Sequence, residues 1–323
     1  MRSKLASVFV GLGVFLIVAA ILVRFYAYPS LAKTPADYES ITKLEALDAQ
    51  IFNSDPDVLA AETTDLSIVS RSVADGGADA PDDVSVWVNS TTISRPDGSV
   101  FQQARDRVAF DSVTGVATDC EPCDTWTEIA EGDRRDVERT GLLFKFPFGT
   151  EKKDYDVWDS SVNEAPVATF EGEEDLQGLT VYKFVQRIEP TVVQTREVPG
   201  SVFGSDEAVV EAEMWYEMTR TYYIEPQTGS PVNRVEERVQ ELRYDGTSVP
   251  AFTGTVQYTE DQVSDMVEDA KSNAFMLGGL QMLFPLVMGV LGALLIGLGL
   301  VMGRAAGGRS SGNRANDKTM AGV

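Results

Sequence analysis

The chain has 323 residues, with 27 basic against 50 acidic side chains and no histidine. The lack of histidine excludes Ser-His-Asp triads, histidine general bases and histidine metal ligands. The length is sufficient for one large domain, or two small ones, with a real hydrophobic core.

The N-terminal segment combines basic residues with an apolar stretch. Residues 5–23 carry no charge, and 19 residues of helix rise about 29 Å, close to the thickness of a bilayer core. Arg2 and Lys4 precede the stretch, and positive flanks stay cytoplasmic. We interpret residues 1–24 as a cytoplasmic start and a first transmembrane helix. A cleaved signal peptide is the alternative, but its apolar core is usually shorter.

The middle of the chain, residues 25–259, is acidic and rich in strand-forming side chains. Seven of the 27 bases and one of the 50 acids lie outside residues 25–273, which leaves that segment a net charge of −29. Such a charge repels nucleic acid and anionic headgroups, so we expect no nucleic-acid partner. Turn signals such as Arg95–Gly98 and Glu225–Gly229 separate alternating segments. We predict a mainly β, antiparallel extracytoplasmic domain, flanked by N- and C-terminal transmembrane α-helices.

Two stretches of this domain are harder to interpret. Residues 34–53 fit either a short helix or an extended segment. Residues 74–83 form a loop by composition, and the acids within it lack the spacing of a calcium-binding loop. We therefore favour a solvated loop over a calcium site at residues 74–83.

The chain ends with an amphipathic segment, an apolar stretch and a basic tail. Residues 260–273 predict a juxtamembrane helix, because their apolar side chains recur at helical spacing. Residues 274–303 predict a second transmembrane helix, and residues 304–323 a basic, disordered cytoplasmic tail. We expect a plasma-membrane protein with both termini cytoplasmic and residues 25–273 extracytoplasmic.

The two cysteines of the chain, Cys120 and Cys123, lie in the external segment. A redox C-x-x-C and a small structural disulfide are the alternatives. The flanking acids disfavour a reactive thiolate, and two cysteines without histidine cannot complete a zinc site. We predict a structural disulfide between them, with no catalytic, metal or cofactor site in the chain.

A distinctive stretch, residues 140–159, alternates aromatic with other side chains and contains the only adjacent lysines of the external segment. It fits a ligand groove with aromatic walls and a basic lip, which would bind an envelope lipid or glycan. It also fits a buried edge strand that ends in a turn, and this is favoured because large aromatics are mostly core residues. The candidate lip residues are Phe146, Phe148, Lys152, Lys153 and Trp158.

The second apolar stretch contains a row of small residues. Gly289, Ala293 and Gly297 recur every four residues, so a neighbouring helix can approach closely there. That neighbour is either the chain's own first span, through Ser7 and Gly11, or a helix of another copy in a homo-oligomer.

Several motifs occur in a characteristic order from the first span to the last. They are Ala27–Lys33, Arg107–Asp111 with Thr114–Gly115, Gly141 with Phe146–Phe148, Lys152–Lys153, Tyr155 and Trp158–Asp159, and Tyr223–Gly229. In order and spacing they resemble the actinobacterial PorA-like porin family, also described as a domain of unknown function. The resemblance covers nearly the full chain. The family name implies channel activity, and we carry over no pore or catalytic residue.

Three classes of function follow. From the sequence we favour a non-enzymatic plasma-membrane protein whose acidic external domain binds or transfers a cell-envelope component, which a buried apolar tunnel would support. The alternative is a helical, oligomeric, porin-like channel, since β-barrel porins cross the membrane with strands. The second alternative is an envelope enzyme that uses carboxylates only. We expect no enzyme, because the chain has no recognisable nucleophile or phosphate-binding motif.

Overall fold

The computed structural model describes residues 2–129 and 132–307, and the chain divides into two compact units. One unit combines the residues up to Ala32 with those from Phe275 onward, and the other consists of Lys33–Ala274. Most of the predicted basic tail, from residue 308, lies outside the described residues.

Long apolar helices form the first unit. The first span consists of α1 (Arg2–Leu22), a π-helical turn (Val23–Ala27) and α2 (Tyr28–Leu31). The second span begins at the end of α3 (Glu260–Gly278) and continues through a π-helical turn (Gly279–Leu283) into α4 (Phe284–Gly307). Both are long and apolar enough to cross a membrane.

A 12-stranded antiparallel sheet dominates the second unit. Its strands are β1 (Glu39–Asn53), β2 (Ala60–Ala74), β3 (Val84–Ser94), β4 (Val100–Asp111), β5 (Trp126–Glu128), β6 (Arg134–Arg135), β7 (Tyr155–Asp156), β8 (Val167–Leu176), β9 (Leu179–Pro199), β10 (Val209–Glu225), β11 (Ser230–Tyr244) and β12 (Thr247–Tyr258). The order is β6-β5-β4-β3-β2-β1-β12-β11-β10-β9-β8-β7. The predicted fold class, an antiparallel β domain with two flanking apolar helices, is confirmed.

The chain enters and leaves this sheet at its middle. β1, which follows the first span, pairs with β12, which leads into α3. β1 is also the stretch that fits either helix or strand by sequence. Its Leu44 and Ile51 are buried in one cluster with Ile68 and Phe252 of the neighbouring strands. Pairing on both sides therefore decides its conformation, as is common for strands whose intrinsic preference is weak.

A connector, residues 141–150, ties the two halves of the sheet together. The Phe148 N–H donates to the Val113 carbonyl at 3.0 Å, in the turn after β4. The Phe146 N–H donates to the Gly229 carbonyl at 2.8 Å, in the turn between β10 and β11. A Cβ at Gly229 would lie 2.1 Å from the Phe146 carbonyl oxygen, so the close approach requires glycine there.

A buried network of charged side chains links β10 to β11. The Arg220 guanidinium donates to Glu236 Oε2 at 2.6 Å, to Asp159 Oδ2 at 2.9 Å and to Gln186 Oε1 at 3.0 Å. Arg238 also pairs with Glu236. Glu236 is 1% exposed, and a buried carboxylate that loses its cation is strongly destabilising. The network is therefore stable only when its charges are matched.

The protonation of this network follows from its surroundings. Burial acts to raise the pKa of Glu236, but the positive charges of Arg220, Arg238 and Arg234 outweigh burial and hold that pKa well below its ordinary value. Burial raises the pKa of Tyr216, whose hydroxyl donates to the network at Asp159. Glu236 is thus ionised and Tyr216 neutral at physiological pH.

The disulfide between Cys120 and Cys123 is present and closes a 3₁₀ turn, Glu121–Cys123. The Cys123 carbonyl accepts a hydrogen bond from Arg107 Nε at 3.0 Å. The same guanidinium pairs with Asp75 at 2.5 Å. The disulfide turn is therefore linked, through one arginine of β4, to the acidic loop after β2.

We expect acid to destabilise the domain through Glu236. Its pKa is lower in the folded than in the unfolded chain, so its contribution is complete above the ordinary value of 4.5 and decreases as the pH falls below it. Glu236→Gln should cost about 3 kcal/mol at neutral pH and weaken the pH dependence below about pH 4.5. Thermal unfolding of the full chain in detergent, followed by circular dichroism from neutral pH downward, measures both effects.

Glu237→Gln is the matched control, because Glu237 is the exposed neighbour on the same strand. It should unfold like the unmodified chain at every pH. A Glu236→Gln variant that is as stable and as acid-sensitive as the unmodified chain would refute the role given to the network.

Removal of the disulfide should have a modest effect. The loop that it closes is short, so Cys120→Ser should lower the free energy of unfolding by about 2 kcal/mol, seen as a fall of several degrees in melting temperature. With a reductant present, variant and unmodified chain should unfold together. An unchanged melting curve under oxidising conditions would show that the disulfide is not structural.

Candidate functional site

The two spans contact each other through glycines. A Cβ added at Gly13 would lie 2.6 Å from the Gly292 carbonyl oxygen, and one added at Gly292 would lie 2.7 Å from the Gly13 carbonyl oxygen. A Cβ at Gly299 would lie 2.8 Å from the Ala6 carbonyl oxygen. The backbones of α1 and α4 therefore touch, as small residues permit in membrane helices.

The predicted row of small residues is not this contact. A Cβ added at Gly289 or Gly297 meets no atom within 4 Å, and Ala293 is exposed. Gly11, the predicted partner on the first span, also has open space around it. Gly292 precedes Ala293 by one residue, about 100° around the helix. A second row of small residues, Gly292 and Gly299, thus lies beside the predicted row on α4, and the first span packs against this second row.

Aromatic side chains mark one end of both spans. Phe25 and Tyr26 are 73% and 74% exposed at the end of the first span, and Phe275 is 66% exposed near the start of the second. Exposed aromatic rings at this position are typical of the membrane interface.

The predicted lip residues of the external unit lie in different surroundings. Phe146 is 2% exposed and packs against Phe184 at 4.7 Å between ring centroids. Phe148 is half-buried, with the Lys145 ammonium 4.0 Å from its ring centre, and Trp158 is half-buried beside the cluster around Trp87. Phe146 and Trp158 therefore belong to two different core clusters.

The two lysines of the proposed lip are exposed and paired with acids. Lys152 lies 2.9 Å from Glu173, and Lys153 lies 2.5 Å from Glu151. Two surface pockets of the external unit, of about 410 and 380 Å³, are lined by other residues. One lies between the start of α3 and β11–β12, and the other lies along β9 near Val162. A ligand at the lip remains a prediction.

The sequence indicates Gly299 and Gly303 as a further pair of small residues at which helices can pack, but it assigns no role to Gly13, Gly292 or the buried network. Small residues at 292 and 299 were visible, but helical spacing fits either row equally well. Glu236, Glu237 and Arg238 put charge on both faces of a predicted strand, and alternation alone does not reveal a buried ion pair.

Comparison with known proteins identifies relatives over most of the chain. A family model described as Porin PorA matches residues 5–301. Porin PorA of Corynebacterium resistens is 22% identical over 402 aligned positions, which cover 94% of this chain and 97% of the relative. Porin PorA of Corynebacterium amycolatum is 25% identical over 299 positions, which cover 73% of this chain and 77% of the relative.

Among solved structures, an exported protein with a YmcC-like fold from Bacteroides fragilis covers 70% of this chain and 96% of its own length at 8% identity. The TM-score of 0.19 does not indicate a shared fold. The family model, by contrast, extends across both spans and the sheet between them, and the chain belongs to the PorA porin family.

Proposed function

We propose that this protein is the subunit of a porin-like channel whose pore is formed by the helices of several copies in the plasma membrane. The observation that carries the proposal is the family match over residues 5–301, with relatives named Porin PorA. The function favoured from the sequence, binding or transfer of an envelope component, has less support. The pockets beside α3 and along β9 are open to the surface and so do not supply the buried apolar tunnel that would support it.

The surface of the sheet favours helices over strands as the membrane-crossing elements. Exposed ion pairs cross neighbouring strands, such as Arg71 with Glu39 at 2.6 Å and Arg187 with Glu171 at 3.0 Å. A basic side chain on a lipid-facing strand costs about 2–4 kcal/mol near the bilayer midplane. The sheet is therefore assigned to water and the two apolar spans to the lipid.

The contact between the spans supports an assembly of several copies. Gly13 and Gly292 bring the two backbones together, which leaves no room for a water-filled path between the spans of one chain. The row Gly289, Ala293 and Gly297 is open to contact with a further helix. Small residues of this kind let helices pack closely in a bilayer.

The proposed orientation places both termini in the cytoplasm and residues 25–273 outside, because basic residues flank the spans at the chain ends. The disulfide agrees with an oxidising external compartment. The proposed function is non-enzymatic, and it assigns no ligand to the predicted lip.

We expect the purified full-length protein to give discrete conductance steps in a planar bilayer. Gly289→Leu/Gly297→Leu should abolish the steps or reduce their frequency at least tenfold, because the added side chains keep neighbouring helices apart. Single-channel recording at equal protein density measures both variants.

Leu291→Phe/Leu298→Phe is the matched control, since it adds bulk to α4 at two exposed positions on the side of the helix away from the small-residue row. It should conduct like the unmodified protein. A folded, membrane-inserted protein that remains silent would refute the channel. Steps that persist unchanged in the glycine variant would refute packing through this row.

A further inference from the structure

We propose that Trp87 and Phe144 form a binding site for a neutral sugar ring, with Phe144 as its lid and the Trp87 indole N–H as its polar contact. Both residues belong to the external unit. The inference goes beyond the proposed channel and does not depend on it.

Trp87 buries a hydrogen-bond donor that no group of the described residues accepts. The residue is 5% exposed, and its indole Nε1 has no hydrogen-bond partner. The indole N–H can only donate, and a buried donor without an acceptor costs free energy. Buried tryptophans usually direct this group to an acceptor. The unpaired donor of Trp87 therefore indicates a place for an acceptor that comes from outside the chain.

Three aromatic rings surround this tryptophan. Tyr38 stacks on it at 4.5 Å between ring centroids, with 8° between the ring planes. Phe110 meets it edge-on at 5.1 Å, and Phe144 stacks at 5.7 Å and 25°. Phe110 is fully buried, whereas Phe144 is 41% exposed. Phe144 is thus the ring that lies between Trp87 and the surface, and an entering ligand would displace it.

The backbone at Phe144 is strained. Its φ is +43°, in the left-handed region that residues other than glycine rarely adopt. The Lys145 N–H donates to the Leu143 carbonyl, which closes a tight three-residue turn around Phe144. The neighbours hold this turn in place, since the Leu143 N–H donates to the Gly115 carbonyl at 2.9 Å. Strain of this kind persists where the surroundings fix it, and it is frequent at ligand clamps.

Strain and the unpaired donor together favour a ligand that opens the lid. With the lid closed, the protein bears the cost of the left-handed turn and the cost of the unsatisfied N–H. A ligand that displaces Phe144 can relieve both, and it then selects a minor conformation of the free protein. The aromatic surface of Trp87 and Tyr38 becomes the floor of the site.

The chemistry of the site limits the class of ligand. The external segment is strongly acidic, which disfavours an anion. The N–H group is a donor and disfavours a cation, and a purely apolar ligand would leave that donor unpaired. A neutral molecule with an apolar face and an acceptor oxygen meets all three conditions. A pyranose ring has both, because its C–H groups stack on aromatic rings and its hydroxyl oxygens accept hydrogen bonds.

The test is the indole N–H signal of Trp87 in ¹H–¹⁵N spectra of the full-length protein in detergent micelles. The chain has four tryptophans, and Trp87→Phe assigns the signal by its disappearance. We expect at least one of the methyl pyranosides of glucose, galactose and mannose to move this signal at millimolar concentration, because a new acceptor deshields the N–H proton.

Two variants test the two residues separately, with saturation transfer to the sugar as the measure of binding. Phe144→Gly should tighten binding at least about fivefold, because glycine adopts a positive φ without strain and has no ring to displace. Trp87→Phe should weaken binding about fivefold or more, because an aromatic ring remains but the donor is lost. Binding that Trp87→Phe leaves unchanged would contradict the role of the indole N–H.

Trp215→Phe is the matched control, since it makes the same change at a tryptophan whose indole N–H already donates to Glu213 at 2.9 Å. It should leave sugar binding within about twofold, because the two sites share no partner. If Trp87→Phe does not fold, Trp126→Phe, Trp158→Phe and Trp215→Phe assign the other three signals, and the signal that remains belongs to Trp87.

Two results would overturn the inference and leave the channel proposal intact. One is a Trp87 signal that no sugar moves, either in the unmodified protein or in Phe144→Gly. The other is an equal movement of all indole signals, which would show non-specific contact with the sugar.

Discussion

The backbone contact between Gly13 and Gly292 is the constraint on which the membrane part of this protein depends. Each span satisfies its own backbone hydrogen bonds within its helix, as the bilayer interior requires. The contact brings the two backbones so close that a Cβ would not fit at either glycine. One chain thus supplies a solid helical hairpin. A pore made from such hairpins has to lie between copies, and the predicted small-residue row of α4 provides a surface for the next helix.

The external sheet depends on a different set of contacts. β1 and β12 pair at its middle, so the strands that connect to the two spans are neighbours. The connector joins the two halves of the sheet by hydrogen bonds to the turns after β4 and β10. Arg220, Glu236 and Asp159 then fix the relative positions of β10, β11 and the segment after β7. The apolar core of this domain is divided into several small clusters. The hydrogen bonds of the connector and the buried ion network therefore contribute much of what holds the strands in place.

Local chemistry explains which parts of the fold were predictable. The hairpin β3–β4 follows from Pro96, Gly98 and the alternation on either side, and the spans follow from their length and lack of charge. β1 was not predictable, because its strand character comes from partners distant in the chain. Glu236 was not recognised as buried, because its cation, Arg220, lies on another strand. The order of the motifs was sufficient to identify the family, although no single motif was.

The same limit applies to the candidate site. Gly289, Ala293 and Gly297 were recognisable as a packing row from their spacing alone. The first span packs against the neighbouring row, with Gly292 and Gly299. This depends on the rotation of the two helices about their axes, which the spacing of small residues does not specify. Phe146 illustrates a choice that spacing leaves open. An aromatic near two lysines fits either a binding surface or the core, and the core was favoured because large aromatics are mostly core residues. The ring of Phe146 is indeed buried.

The mass of the conducting particle tests the central claim most directly. Full-length protein in lipid nanodiscs should be weighed by native mass spectrometry, and the same preparation should be shown to conduct. The account predicts a whole-number multiple, greater than one, of the 35.1 kDa chain. A conducting particle that contains a single chain would contradict it, because one closely packed hairpin leaves no path for ions.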